Sequence, residues 1–178
     1  EKLRAFVNGG GTLIATGNSL RWLNNSGLAT IEFRNPPADT GRARRPYGSL
    51  SEDRRAISLP GAIFEVELDL THPLCYGYDT PRIAMFQSEA NFVETAKNPY
   101  ATPAVFTANP LLAGYLHEQH KKLVPGAAAV IVGGSGSGRI IAFSGNPNFR
   151  AFWYGTHRLF ANAVFFGNLI SSGAVERK

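Results

Sequence analysis

The chain has 178 residues, 44% apolar and 17% charged, a balance that suits one globular domain spanning 1–178 and excludes a disordered chain. The net charge of +5 raises nucleic acid as a partner, but five arginines (Arg42, Arg44, Arg45, Arg54 and Arg55) share one Pro-, Gly- and Ser-bearing stretch that reads as a solvated loop, with only Tyr47 to stack on a base. No apolar run reaches the length of a bilayer span, so neither nucleic acid nor a membrane is expected as a partner.

In chain order, "EKLRAFVNGGG" predicts a helix, with Leu3, Phe6 and Val7 at helical spacing and a glycine stop. "GTLIATG" (Gly11–Gly17) predicts a short buried strand of parallel type. Helix, glycine turn and strand make half of an α/β repeat, so the strand before them is expected to lie outside this sequence. "NSLRWLNNSG" follows as a short helix with Asn18 or Ser19 as its N-cap. Residues 34–60, with four prolines and the arginines, read as a long irregular excursion.

"AIFEVELD" alternates, with Phe64, Val66 and Leu68 opposite Ile63, Glu65 and Glu67, and predicts a half-exposed strand. "RIAMFQS" and "PAVFTA" are two further short strands, and "NPLLAGYLHEQHKKL" (Asn109–Leu123) reads as an amphipathic helix. A β-hairpin is expected near 127–144, where two apolar runs flank "GGSGSG". From Asn148 onward a single helix is expected, burying Phe149, Phe152, Trp153, Phe160, Ala163, Val164 and Gly167 as one stripe.

The glycine-rich loop invites a phosphate-binding reading. Gly133 and Gly138 have P-loop spacing, but Arg139 stands where lysine is needed and Ile140 replaces the hydroxyl that would hold magnesium. The dinucleotide and nucleophile-elbow patterns fail as well, and "RIIAFS" is a strand rather than the helix that a phosphate cradle requires. The loop is therefore a turn.

Three other groups could carry chemistry. His117 and His120 flank Glu118 in "HEQH", one residue short of the zincin spacing, and a solvated polar face is expected. His72 and Cys75 share the loop "THPLCYGYD" and are the weak candidates for a nucleophile and base; a packed thiol is the default for Cys75, the only cysteine, which also leaves no disulfide and no thiolate metal site. "SGNPNFRAFWYGTHRLF" (Ser144–Phe160) holds Asn146, Asn148, Arg150, Trp153 and His157 where a strand hands over to a helix, a place that suits a carboxylate or a sugar. Against this stands a structural role: Asn148 as a cap, Arg150 paired with an acid, Trp153 in the core.

"LRAFVNGGGTLIATGNS" resembles the helix–turn–strand of class I glutamine amidotransferase-like domains. "GAIFEVELDLTHPLCYGYD" and "GRIIAFSGNPNFRAFWYGTHRLFANAVFFGNLI" resemble the domain that follows the catalytic domain in bacterial zinc carboxypeptidase-like proteins of the M14 peptidase family. The resemblance implies a three-layer, flavodoxin-like sheet with flanking helices that lacks its first strand or strands. It also implies a periplasmic or extracellular setting, and an upstream peptidase domain of the same polypeptide as partner. Zinc belongs to that absent peptidase domain, so no cofactor is expected in this chain. No His-x-x-Glu and no His-x-Glu occurs, so no peptidase or glutaminase residue carries over. The expectation is a non-catalytic accessory domain that supports or positions the peptidase domain. The alternatives are a peptide- or glycan-binding module and a Cys/His hydrolase built on Cys75 and His72.

Overall fold

The computed structural model describes residues 1–37 and 43–177; Arg42 lies outside them. Its helices are α1 (Lys2–Asn8), α2 (Ser19–Asn25), α3 (Leu50–Ile57), α4 (Glu118–Lys121) and α5 (Tyr154–Phe166). Its strands are β1 (Thr12–Thr16), β2 (Ala62–Leu68), β3 (Arg82–Gln87), β4 (Ala104–Gly114), β5 (Ala128–Ser135) and β6 (Gly138–Phe143). All six strands form one sheet in the order β1-β6-β5-β4-β2-β3, with β1 parallel to β6 and each of the other neighbours antiparallel. The protein is thus an α/β fold on a mixed sheet. No described helix is long and apolar enough to cross a membrane.

The period of two along β6 divides the core between the faces of the sheet. Ile140 and Ala142 pack with Val7, Leu20 and Leu23 beneath α1 and α2. Ile141 and Phe143 pack with Leu159 and Ala163 beneath α5. A strand covered on both faces must be apolar where it is covered, and "IIAF" (140–143) is, each residue buried. Strand β2 instead buries Phe64, Val66 and Leu68 while Glu67 stays in water, as its alternation predicts. Phe64 meets Phe106 of β4 edge to face at 5.6 Å, a geometry that adds about 1 kcal/mol to the area the two rings bury.

The glycine-rich loop is the tip of the β5–β6 hairpin, with Ser135 paired to Gly138. It packs on the end of α1. The Ser137 N–H donates to the Asn8 carbonyl, and the Ser135 hydroxyl donates to Asn8 Oδ1 at 2.7 Å. A side chain at Gly138 would place its Cβ 2.0 Å from the Val7 carbonyl oxygen, so the close approach requires glycine. Arg139 donates to the carbonyls of Ile170, Ser137 and Gly138. The cation that interrupts the P-loop pattern is therefore spent on holding backbone.

Three sequence expectations are corrected. The segment 34–60 is not wholly irregular: α3 forms within it, a two-turn helix between proline-bearing stretches whose apolar residues Leu50 and Ile57 stay exposed rather than joining the core. Asn109–Leu123 is not one helix. Its first part continues β4 to Gly114, where Leu111 and Ala113 pair with Phe64 and Ile63 of β2 across a register shift, and only Glu118–Lys121 is helical. Pairing with a long partner strand outweighs a local helical pattern whose apolar members Leu112 and Tyr115 stay exposed.

The final helix does not begin at Asn148 either. A 3-10 turn over Phe149–Ala151 is followed by a break, and α5 starts at Tyr154. The face it buries carries Thr156, Leu159, Asn162 and Ala163, whereas Phe152 and Val164 of the expected stripe are exposed. The break changes the phase of the helix, so a stripe drawn through it in one period misplaces every residue before it.

Candidate functional site

The two candidate segments lie against the same helix, α5. The loop after β2 enters a 3-10 turn at Pro73–Cys75, capped by His72, whose Nδ1 accepts the Leu74 N–H at 3.2 Å. Leu74 and Cys75 are sealed into the core. Asn162 of α5 ties the loop down, donating from Nδ2 to the carbonyls of Leu74 and Tyr76, each at 2.9 Å.

This packing decides the chemistry of Cys75. Burial, helped by the charge of Asp69, pushes the thiol up to about 12. Its Sγ–H is directed to the Pro103 carbonyl at 3.6 Å rather than to an imidazole. Burial holds His72 below the usual histidine range, against the opposing pull of Asp69. With Nδ1 used as an acceptor, the neutral ring carries its proton on Nε2, which is buried without a hydrogen-bond partner among the described residues. His72 also borders a shallow depression of about 250 Å³ with Asp69, Tyr100 and Ser171. A thiol near 12 that donates to a backbone carbonyl is not an activated nucleophile.

The second segment leaves β6 at Ser144. There the polar groups are spent internally: Ser144 Oγ donates to Gln87 Oε1, and Gln87 Nε2 donates to the Glu89 carbonyl at 2.7 Å. Asn146 Oδ1 accepts the Asn148 N–H at 2.9 Å. Asn148 precedes the 3-10 turn but makes no side-chain cap, and the Thr156 hydroxyl closes the turn instead, donating to the Pro147 carbonyl at 2.5 Å. His157 lies on the first turn of α5 beside Tyr154, its Nε2 buried and without a partner among the described residues.

Arg150 and Ala151 follow in the left-handed region, at φ 49° and 55°. Two successive non-glycine residues there cost about 1–2 kcal/mol each. The turn lifts Phe149, Phe152 and Trp153 to one side. Trp153 Nε1 donates to the Ala84 carbonyl at 3.0 Å, and Phe149 stacks on Phe86 of β3 at 3.9 Å between centroids. No acidic side chain pairs with Arg150 among the described residues; its guanidinium lies 5.3 Å from the Phe149 ring centre.

Together these rings wall a groove of about 260 Å³, closed by Gly61, Ala62 and Ile63 at the start of β2 and by Ala113 and Gly114 at the end of β4. Gly114 keeps the floor low: at φ 98°, an added Cβ would stand 2.7 Å from the Gly61 carbonyl oxygen. Of the sequence candidates the structure brings Trp153 to this groove and Arg150 to its neighbouring ring; Asn146, Asn148 and His157 do not line it. Phe86, Gly61 and Gly114 were not singled out in the sequence. Their only signal is a glycine at each of two strand ends that β-pairing later brings together.

His117 and His120 do not share the solvated face expected of them, because His120 is buried. His117 caps α4 through Nδ1, accepting the Gln119 N–H at 3.3 Å, while His120 is buried against Phe92. Burial, and then the neighbouring His117, hold His120 below its ordinary value. Among the described residues no three His, Cys, Asp or Glu side chains are grouped to hold a metal ion. Within the arginine stretch Arg45 pairs with Asp53 at 3.5 Å.

No family model matches the sequence, and no curated protein matches it. Among solved structures the chain is similar to a cytoplasmic protein from Salmonella typhimurium, at 15% identity and a TM-score of 0.45, over 92% of this chain and 58% of that one. This chain therefore spans little more than half the length of that protein.

Proposed function

We propose that this chain is a non-catalytic accessory domain that binds peptide through the aromatic groove between β2, β4 and the Phe149–Trp153 turn. The observation that carries the reading is that groove: Phe149, Phe152 and Trp153 rise from a turn held in a costly conformation beside Phe86 of β3, over a floor kept open by glycine. The sealed thiol of Cys75, held near 12, supports the non-catalytic part.

The resemblance to the domain after the catalytic unit of M14 zinc carboxypeptidase-like proteins supplies a setting: a secreted polypeptide whose peptidase domain this one supports or positions. In that reading the α1–β1 unit and the parallel β1–β6 pair belong to an amidotransferase-like, flavodoxin-like sheet, and strands not contained in this sequence would pair on the outer edge of β1. In that reading zinc would sit with the peptidase domain.

The test is a titration of residues 1–178 with short peptides bearing internal or terminal aromatic residues, followed by Trp153 fluorescence and by the shift in unfolding temperature. Saturable binding that is lost in Phe152→Ala supports the reading. Binding untouched by that substitution, or release of C-terminal residues or of ammonia from glutamine that disappears in Cys75→Ala, overturns it.

A further inference from the structure

We infer that the groove selects a peptide's C-terminal residue, its aromatic or branched apolar side chain seated between Phe152 and Phe86 and its free carboxylate held by Arg150; this rests on the peptide-binding reading above.

The size of the groove sets the first limit. Its volume of about 260 Å³ falls below the roughly 300–1,000 Å³ of sites that hold a drug-sized ligand or cofactor. It exceeds the roughly 150 Å³ in which an apolar cavity takes up benzene. One ring-sized side chain is the matching occupant.

The chemistry of the wall sets the second. Every lining residue is apolar or glycine, and the one polar atom among the lining side chains, Trp153 Nε1–H, already donates to the Ala84 carbonyl. Of the two amides before the turn, Asn146 accepts from its own turn and Asn148 does not line the groove. A sugar needs several donors and acceptors beside its stacking face; this groove offers a stacking face and none of them. The same surface therefore favours an apolar side chain over a glycan.

The third limit is charge. Arg150 is exposed, held over the Phe149 ring that walls the groove, and has no acidic partner among the described residues. Its left-handed backbone fixes where the side chain leaves the turn. A residue extends the chain by about 3.5 Å, so a carboxylate attached to the seated residue stays within reach of a cation that lies 5.3 Å from the wall's ring centre. Arginine presents a planar fork that matches a carboxylate in two hydrogen bonds.

N-acetyl-L-phenylalanine, N-acetyl-L-phenylalanine amide and cellotetraose are titrated against residues 1–178, with Arg150→Gln and Phe152→Ala as variants and with sodium chloride at low and high concentration. The free acid should bind about fivefold more tightly than the amide, the order expected of one solvent-exposed charge pair. That preference should vanish in Arg150→Gln and in high salt. Phe152→Ala should weaken acid and amide alike, and cellotetraose should not bind. Equal binding of acid and amide, both lost in Phe152→Ala, would keep the peptide groove and overturn the carboxylate inference. Binding of cellotetraose alone would overturn both.

Discussion

His72–Tyr78 and Asn146–Trp153 begin from similar material: each sets polar and aromatic side chains on a 3-10 turn beside a strand, and each touches α5. The first is drawn under the helix, where Leu74 and Cys75 are buried and Asn162 bonds two of its carbonyls. The second is held outward, with Phe152 and Arg150 exposed and two residues at positive φ. Side-chain types that could serve chemistry thus serve packing in one loop and stay exposed to solvent in the other. What separates them is where the backbone bonds go. In the buried loop Asn162 of α5 binds two carbonyls and draws the chain under the helix, whereas in the open loop α5 binds only the Pro147 carbonyl, through Thr156, Asn146 closes its own turn, and Phe152 and Arg150 stay exposed.

Thiol chemistry reads the largest difference. With Cys75 near 12, the thiolate fraction at pH 8 is about one part in ten thousand, against about a quarter for an ordinary thiol. The folded protein should react with a disulfide reagent at least a thousandfold more slowly than the chain in urea, on thiolate content alone. Comparable rates in the two states would show that the loop is not sealed. Next in size is a pair of truncations. Leu74→Ala should cost about 3 kcal/mol, as a fully buried leucine does, and lower the urea midpoint without changing the slope. Phe152→Ala, from a ring 53% exposed, should stay within about 0.5 kcal/mol. Equal costs would erase the distinction between the two segments.

A smaller effect follows from His72. Its folded form is held below the ordinary histidine range by burial, so the unfolded chain binds the proton first as pH falls. Its contribution to stability is present above about pH 6.5, the unfolded histidine value, and declines as pH drops below that. In His72→Asn the side-chain oxygen can still accept the Leu74 N–H as an Asx turn but does not titrate. Between pH 7 and 5 the wild type should therefore lose more stability than His72→Asn in urea titrations. His120 is also held low by burial and contributes the same background to both proteins. Parallel pH curves would remove His72 as the cause.

Legibility followed physical locality. The alternation of β2, the apolar run of β6 and the hairpin turn are properties of neighbouring residues, and all were readable. The end of β4 was not, because what makes 111–114 a strand is its register with Phe64, Ile63 and Ala62, nearly fifty residues earlier. The groove inherits that problem: Gly61 and Gly114 meet only once β2 and β4 pair, and Phe86 reaches Phe149 only once β3 lies beside β2. Trp153 and Arg150 stood out as a polar-aromatic cluster. The break before Tyr154, which brings Trp153 to the groove and Arg150 beside the Phe149 ring, depends on left-handed backbone at residues that carry no glycine signal.

That backbone gives the finest test of the comparison. At Ala151, φ 55° costs about 1–2 kcal/mol, and glycine removes the cost while adding about 0.5–1 kcal/mol of chain entropy to lose on folding. Ala151→Gly should therefore be stabilising by about 0.5 kcal/mol, a rise of about 1–2 °C in the unfolding midpoint for a chain of this size. Ordinary turns are improved by such a change and lose nothing. A turn whose rigidity aims Arg150 at a ligand should instead show the two effects with opposite signs: higher stability, and weaker binding of N-acetyl-L-phenylalanine because more conformations are frozen out on binding. Higher stability with unchanged binding would make the strain incidental to the groove. A lower midpoint would show that the Ala151 methyl packs against its surroundings, and that the left-handed turn is held by contacts rather than tolerated at a cost.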